Sequence, residues 1–195
     1  MKILSIHSSA KIQGSKSREL TTKISEKLQS LSDGEIITRD LTQNLIFLNE
    51  AMIDRFYTEE DKLSDEDKQV LAPSDKLVDE LIEADAIVIG APMYNFTISG
   101  MLKVYLDQIC RLDKTFSTNL NGFEGMLENK TAHIVITTGG TAVGGEDDFM
   151  SNYLKHVLGF IGITDIHFYV LDKFDAEQAE LQKAALLERI ATMQI

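Results

Sequence analysis

A single cysteine, Cys110, leaves this chain without the means to form an internal disulfide framework. Stability has to come from a core, and 195 residues suffice to bury one without disulfides or metal. No apolar run approaches the roughly 18 residues that mark a membrane span, and no charged-then-apolar leader precedes the first candidate strand. A reducing cytoplasm is the expected location. Basic charge is scarce: 19 Lys and Arg stand against 31 Asp and Glu, a net charge of −12 that opposes binding to nucleic acid or an anionic membrane. The expected partner is therefore a small molecule. The chain lacks a G-x-G-x-x-G turn, which argues against a dedicated dinucleotide fold of the Rossmann kind. It also lacks a Walker A motif, because Gly14 is followed by Ser15 rather than lysine. His7, His133, His156 and His167 show no metal-ligand spacing, so no metal is assigned. With no repeat or low-complexity stretch, residues 1–195 read as one domain. Leu41–Asp67 is its least regular part, and Glu59-Glu60-Asp61 and Asp65-Glu66-Asp67 read as solvated acidic faces.

What is present begins with Ala86-Ile87-Val88-Ile89-Gly90, an unalternating apolar run typical of a buried parallel strand. Ala91-Pro92-Met93-Tyr94-Asn95-Phe96 follows directly. Pro92 fixes its own φ and holds Ala91 extended, so the chain leaves the strand abruptly and frees the backbone of Met93 to Phe96 for a ligand. Open α/β sheets bind ligands at such strand exits. The candidate strand Ala86–Ala91 and four further ones, Lys2–His7, Glu35–Asp40, Ala132–Thr137 and Ile166–Leu171, alternate with segments of helical periodicity. The helices expected are Ser17–Leu31, Ser74–Ala84, Ile98–Arg111 with Ser99 as its cap, Glu146–Gly159 and Ala176–Met193. This alternation predicts an α/β, flavodoxin-like fold: a five-stranded parallel sheet of order 2-1-3-4-5 with helices on both faces. In that order the first and third β→α loops face one crevice.

The first of those loops runs from Ser8 to Ser17 and carries Ser8, Ser9, Ser15 and Ser17. Hydroxyls and unpaired amides at a helix N-terminus suit a phosphate, although Ser15 or Ser17 can equally serve as a plain helix cap. After the fourth strand come Thr137-Thr138-Gly139-Gly140, whose glycines let the backbone approach a flat ligand and whose threonines add hydroxyls. A tight turn explains the same residues. Asn121-Gly122-Phe123-Glu124-Gly125 reads as a turn-rich loop with an exposed aromatic residue. Cys110 sits among apolar neighbours on the third helix and reads as inert packing, and Met52 and Met101 read as core or as the border of an apolar site.

Taken in order, Ser9, Ser15-Lys16-Ser17, Ala91–Phe96 with Leu102-Lys103 and Tyr105, Thr115-Phe116, Gly139-Gly140 and Leu158-Gly159-Phe160-Ile161-Gly162 resemble the FMN-dependent NADH:quinone oxidoreductases and azoreductases. The resemblance spans nearly the whole chain, and Met-Tyr-Asn-Phe is its most specific element. It implies that Ser9, Ser15, Lys16 and Ser17 hold the phosphate and ribityl end of FMN. Met93, Tyr94, Asn95 and Phe96 would line the isoalloxazine ring, and Thr137, Thr138, Gly139 and Gly140 its pyrimidine side. Amides near Asn95-Phe96 and Gly139-Gly140 would stabilise negative charge on the reduced ring. Phe116, Phe123 and Phe160 are the substrate-side candidates. No catalytic side chain is required, since the flavin carries the chemistry: it takes hydride from NADH or NADPH and passes electrons to a quinone or azo substrate by a ping-pong mechanism. A homodimer is implied as well. Five positions depart from the family pattern: Ser99 replaces a frequent proline, Thr141-Ala142 replace bulkier residues, and Ser117-Thr118 lack an aromatic. A flavodoxin-type electron carrier is the alternative reading, and hydrolysis of a phosphodiester on an acidic carrier protein ranks last because two acidic surfaces repel.

Overall fold

The computed structural model describes the chain except Glu59, Asn121, Phe174 and Ile195. Among the described residues seven strands and six α-helices follow one another. The strands are β1 (Lys2–His7), β2 (Glu35–Asp40), β3 (Ala86–Pro92), β4 (Phe116–Asn119), β5 (Gly122–Gly125), β6 (Thr131–Thr137) and β7 (Asp165–Leu171). The helices are α1 (Lys16–Ser32), α2 (Glu50–Phe56), α3 (Asp65–Glu83), α4 (Gly100–Ile109), α5 (Ser151–Phe160) and α6 (Ala176–Ala191). Five strands form one parallel sheet in the order β2-β1-β3-β6-β7, while β4 and β5 make a separate antiparallel pair. The expected five-stranded parallel sheet is present. Numbered over all seven strands, however, its order is 2-1-3-6-7 rather than the 2-1-3-4-5 expected, because a hairpin enters the chain before the fourth parallel strand.

Every residue of the central strand β3 is buried. Because successive side chains alternate across a strand, Ile3, Val88 and Val135 face Leu20, Ile24 and Leu28 of α1 and Leu186 and Ile190 of α6. Leu4, Ile87 and Ile134 face the other way, onto α3, α4 and α5. Both faces are thereby covered, as the apolar run required.

Three features were absent from the sequence reading. Leu41–Asp67, expected to be irregular, contains α2 and the first turn of α3. The seven-residue α2 is held by Met52 and Phe56, which pack on Leu71 in a small satellite cluster. Helix α3 starts at Asp65 rather than Ser74, because Ser64 and Asp67 form a reciprocal capping box in which the Asp67 amide donates to Ser64 Oγ (3.2 Å) and the Ser64 amide to Asp67 (3.0 Å). Pro73 then sits inside the helix, where it has no amide to donate. Where a turn-rich loop was expected at Asn121–Gly125, Gly122–Gly125 forms strand β5 against β4, and Asn121 lies outside the described residues. The hairpin docks on the end of α5: a Cβ on Gly125 would stand 2.1 Å from the Gly162 nitrogen, and the Leu127 amide donates to Ile161 O at 2.9 Å. Of the acidic runs, Glu60, Asp61, Asp65 and Glu66 are exposed, and Glu59 lies outside the described residues.

Candidate active site

Strands β1, β3 and β6 are neighbours, so the loops leaving their C-terminal ends share one edge of the sheet. The first loop is fixed from below by Ser8, whose hydroxyl donates to Gly90 O at 2.7 Å. Arg18 fixes it from the side. Its guanidinium grips both Asp40 oxygens (2.7 and 2.8 Å) and donates to Ser9 O at 2.8 Å. Hydrogen bonding from Arg18 holds the Asp40 carboxyl well below the usual carboxylate range, so this cation is already neutralised. Ser15 is the cap of α1 and accepts from the Arg18 amide at 3.4 Å, which is the plain capping role. Its hydroxyl also lies 3.2 Å from that of Ser17. The first-turn amides of Lys16 and Ser17 have no partner among the described residues, and the Lys16 side chain is exposed. Two amides, two hydroxyls and one free ammonium make a donor set that suits a phosphate.

The second loop turns more tightly than its residues favour. Tyr94 and Thr97 exchange both main-chain hydrogen bonds (2.9 and 3.3 Å) around Asn95 and Phe96, whose φ angles are +48° and +72°. Two successive left-handed residues are the mark of a type I′ turn, a conformation rare for a bulky side chain such as Phe96. The turn leaves Tyr94 38% and Phe96 50% exposed at the sheet edge. It also brings the Tyr94 hydroxyl to the first loop, 3.4 Å from Ser9 Oγ and accepting from the Ala10 amide at 3.2 Å. The structure therefore joins the first and third β→α loops directly. Met93 continues the β3–β6 ladder, its amide donating to Thr137 O at 2.8 Å.

In the third loop Thr138 is structural: its hydroxyl donates to Thr141 O (2.8 Å) and accepts from the Gly140 amide (3.1 Å). The Gly140 amide is thus engaged within its own loop. Those of Asn95, Phe96 and Gly139 have no partner among the described residues, and a Cβ on Gly139 would meet nothing within 4 Å. An open cleft of ≈ 430 Å³ lies beside Gly139, Gly140, Gly145 and Glu146.

Helix α5 begins at Ser151 rather than Glu146, because the residues before it form a fixed loop around a buried carboxylate. Asp148 accepts from the amides of Gly144 (2.8 Å), Met150 (2.9 Å) and Ser151 (2.9 Å). Burial pushes this carboxyl up, but the bonds from Ser151, Gly144 and Met150 outweigh it and the net shift is downward. Phe149 follows, 63% exposed, with its amide donating to Phe96 O at 3.1 Å. Sequence reasoning missed this aromatic. No local pattern signals it, because the cap position of α5, Met150, makes no side-chain hydrogen bond.

Phe116, Phe123 and Phe160 form a cluster of their own, with ring centroids 4.7 to 5.8 Å apart. Helix α5 runs back along the sheet from the end of β6 toward the start of β7, so Phe160 at its end is carried away from the edge that bears the three loops. The structure does not bring these phenylalanines into the same chain's crevice. Cys110 closes α4, and burial pushes its thiol up to about 11, as expected of inert packing.

A family model described as flavodoxin-like fold matches residues 1–193. An FMN-dependent NADH:quinone oxidoreductase 1 of Hahella chejuensis (strain KCTC 2396) is 44% identical over 173 residues, which cover 88% of this chain and 85% of that protein. The protein of the same name from Colwellia psychrerythraea (strain 34H / ATCC BAA-681) is 45% identical over 168 residues, 86% and 88% of the two chains. Among solved structures, the azoreductase AzrA superposes with a TM-score of 0.88 over 98% of this chain and 97% of its own, at 23% identity. The fold, the loops and these relatives agree: the chain belongs to the flavodoxin-like fold family and is a relative of the FMN-dependent NADH:quinone oxidoreductases.

Proposed function

We propose that this chain is an FMN-dependent oxidoreductase that takes electrons from NADH or NADPH and reduces quinones and aromatic azo compounds. The observation that carries this reading is the meeting of three β→α loops at one edge, clasped by the Tyr94 hydroxyl on Ser9 and Ala10. FMN supplies the hydride acceptor and the electron store between two substrates. Ser9, Ser15, Lys16 and Ser17 hold its phosphate and ribityl end through the open first turn of α1. Met93, Tyr94, Asn95 and Phe96 form one wall for the flat ring, and Thr137, Thr138, Gly139 and Gly140 the other. The unpaired amides of Asn95, Phe96 and Gly139 face charge that develops on the ring, and being fixed by their turns they need no reorganisation to stabilise it.

The protein acts as one domain over residues 1–195, in the cytoplasm, as a homodimer. The position of Phe116, Phe123 and Phe160 favours the dimer. An aromatic cluster remote from its own crevice, with Phe123 exposed, serves as an acceptor wall only for a second copy. Flavin released by denaturing the purified protein should be FMN, because the first loop offers one phosphate site and no second dinucleotide turn. FAD as the sole occupant would overturn the assignment.

A further inference from the structure

A cavity of ≈ 600 Å³ opens at the opposite edge of the sheet, among the first residues of β3, β6 and β7 and the end of α6. It plays no part in the site described above. His133 and His167 are register partners on β6 and β7, and their rings stack with centroids 5.3 Å apart and planes at 18°. Tyr169 lies on the same face, its hydroxyl 3.1 Å from His133 Nδ1, and the Arg189 guanidinium covers its ring at 4.2 Å. Nη1 of Arg189 donates to Phe168 O at 2.8 Å. Among the described residues no carboxylate pairs with Arg189, a notable state in a chain with a net charge of −12. The acids on the rim are already engaged. Asp165 accepts from Thr131 Oγ1 (2.8 Å) and lies 3.0 Å from His167 Nε2, and Asp85 accepts from the Lys2 amide (2.7 Å). His133 is 6% exposed, and its Nε2 has no partner among the described residues. Burial, with His167 beside it, lowers its pKa to about 4, so at neutral pH it presents an uncharged imidazole.

We propose that this shelf is a second binding site, for a small planar aromatic carboxylate, with the ring against the His133–His167 pair and the carboxylate on the free Nε/Nη2 edge of Arg189. A guanidinium fork matches a carboxylate with two parallel hydrogen bonds, which gives geometry as well as attraction. The stacked imidazoles offer flat area, and His133 Nε2 offers one more polar contact at the ring's margin. A cationic ring is repelled by Arg189, and a neutral one leaves the guanidinium unmatched. The volume falls in the range of small-ligand sites.

The test uses the flavin-loaded protein and 2-naphthoate, followed by the imidazole ring protons in NMR and by the flavin's visible absorption. The proposal expects a saturable shift of the His133 and His167 signals with an unchanged flavin spectrum. Arg189→Gln should weaken binding about tenfold or more, the scale of a lost charge-assisted hydrogen bond, at unchanged flavin content. Thr192→Tyr, on the exposed rim, narrows the mouth and should also weaken it. A flavin shift with silent imidazoles, the absence of a saturable shift, or full affinity in both variants would each overturn the second site. The imidazole readout stands whether or not the protein holds flavin, so failure here is distinct from failure of the proposed activity.

Discussion

At the scale of single residues, the crevice is held by side chains in roles their types only partly foretell. Phe96 sits at φ +72°, a conformation that costs on the order of 1–3 kcal/mol and persists because its neighbours over-determine it. The Tyr94–Thr97 pair and the Phe149 amide do so from both sides. Such strain is invisible in sequence, since nothing in Asn95-Phe96 announces a left-handed pair. Ser99 was legible, because a serine ahead of an apolar helical period caps it, and its side chain does accept from the Leu102 amide at 3.1 Å. Ser15 and Ser17 carry both readings at once, cap and anion site. Replacing both by alanine should weaken FMN retention by roughly 1–3 kcal/mol, the scale of hydrogen bonds lost to a charged group. Equilibrium dialysis of the flavin checks it, and unchanged affinity would move the phosphate elsewhere. His133 predicts a pH effect. Its pKa is about 4 folded and 6.5 as a free side chain, so the unfolded chain binds more protons between those values. Its contribution is complete above pH 6.5 and is lost as the pH falls toward 4. His7, lowered by burial and by Arg18, acts in the same direction. Urea titrations at either end of that window should show lower stability at the acid end, and His133→Gln should reduce the difference.

At the scale of elements, what could be read depended on where each element's stability comes from. The five parallel strands are stabilised by their own apolar content and were legible to within a residue or two. Helix α2 depends on Met52 and Phe56 meeting Leu71 across the fold, a tertiary cause that local periodicity does not reveal. Helix α3 extends upstream of the expected Ser74 start because the Ser64–Asp67 capping box sets its first turn, ahead of Pro73. The β4–β5 hairpin has two polar four-residue strands with little pattern to find. Its docking is nevertheless tight: Gly125→Ala should destabilise the protein by about 1–3 kcal/mol, the usual cost of forcing atoms into a packed contact. Thermal unfolding measures this, and an unchanged midpoint would mean the Gly125–Gly162 approach relaxes freely.

At the scale of the whole molecule, the separation of Phe116, Phe123 and Phe160 from their own chain's loops becomes informative. Phe123→Ala should raise the KM for a quinone while leaving FMN content unchanged, as expected of a wall lent to a partner's crevice. Light scattering that showed a fully active monomer would remove the cross-subunit wall, whatever that variant does. A shared open face also requires donor and acceptor to take turns, so double-reciprocal plots of initial rates should be parallel. Intersecting lines would indicate two simultaneous sites. Overall charge bears on encounter rather than on fold, and at −12 it favours uncharged acceptors over anionic ones at low salt.

A crevice that turns over electrons through a bound flavin should carry out two separable half-reactions on the purified protein without oxygen. Addition of NADH should bleach the visible flavin absorption, and a quinone added after removal of the nicotinamide should restore it. A flavin that NADH leaves oxidised, or a reduced flavin that the quinone does not reoxidise, would contradict the account.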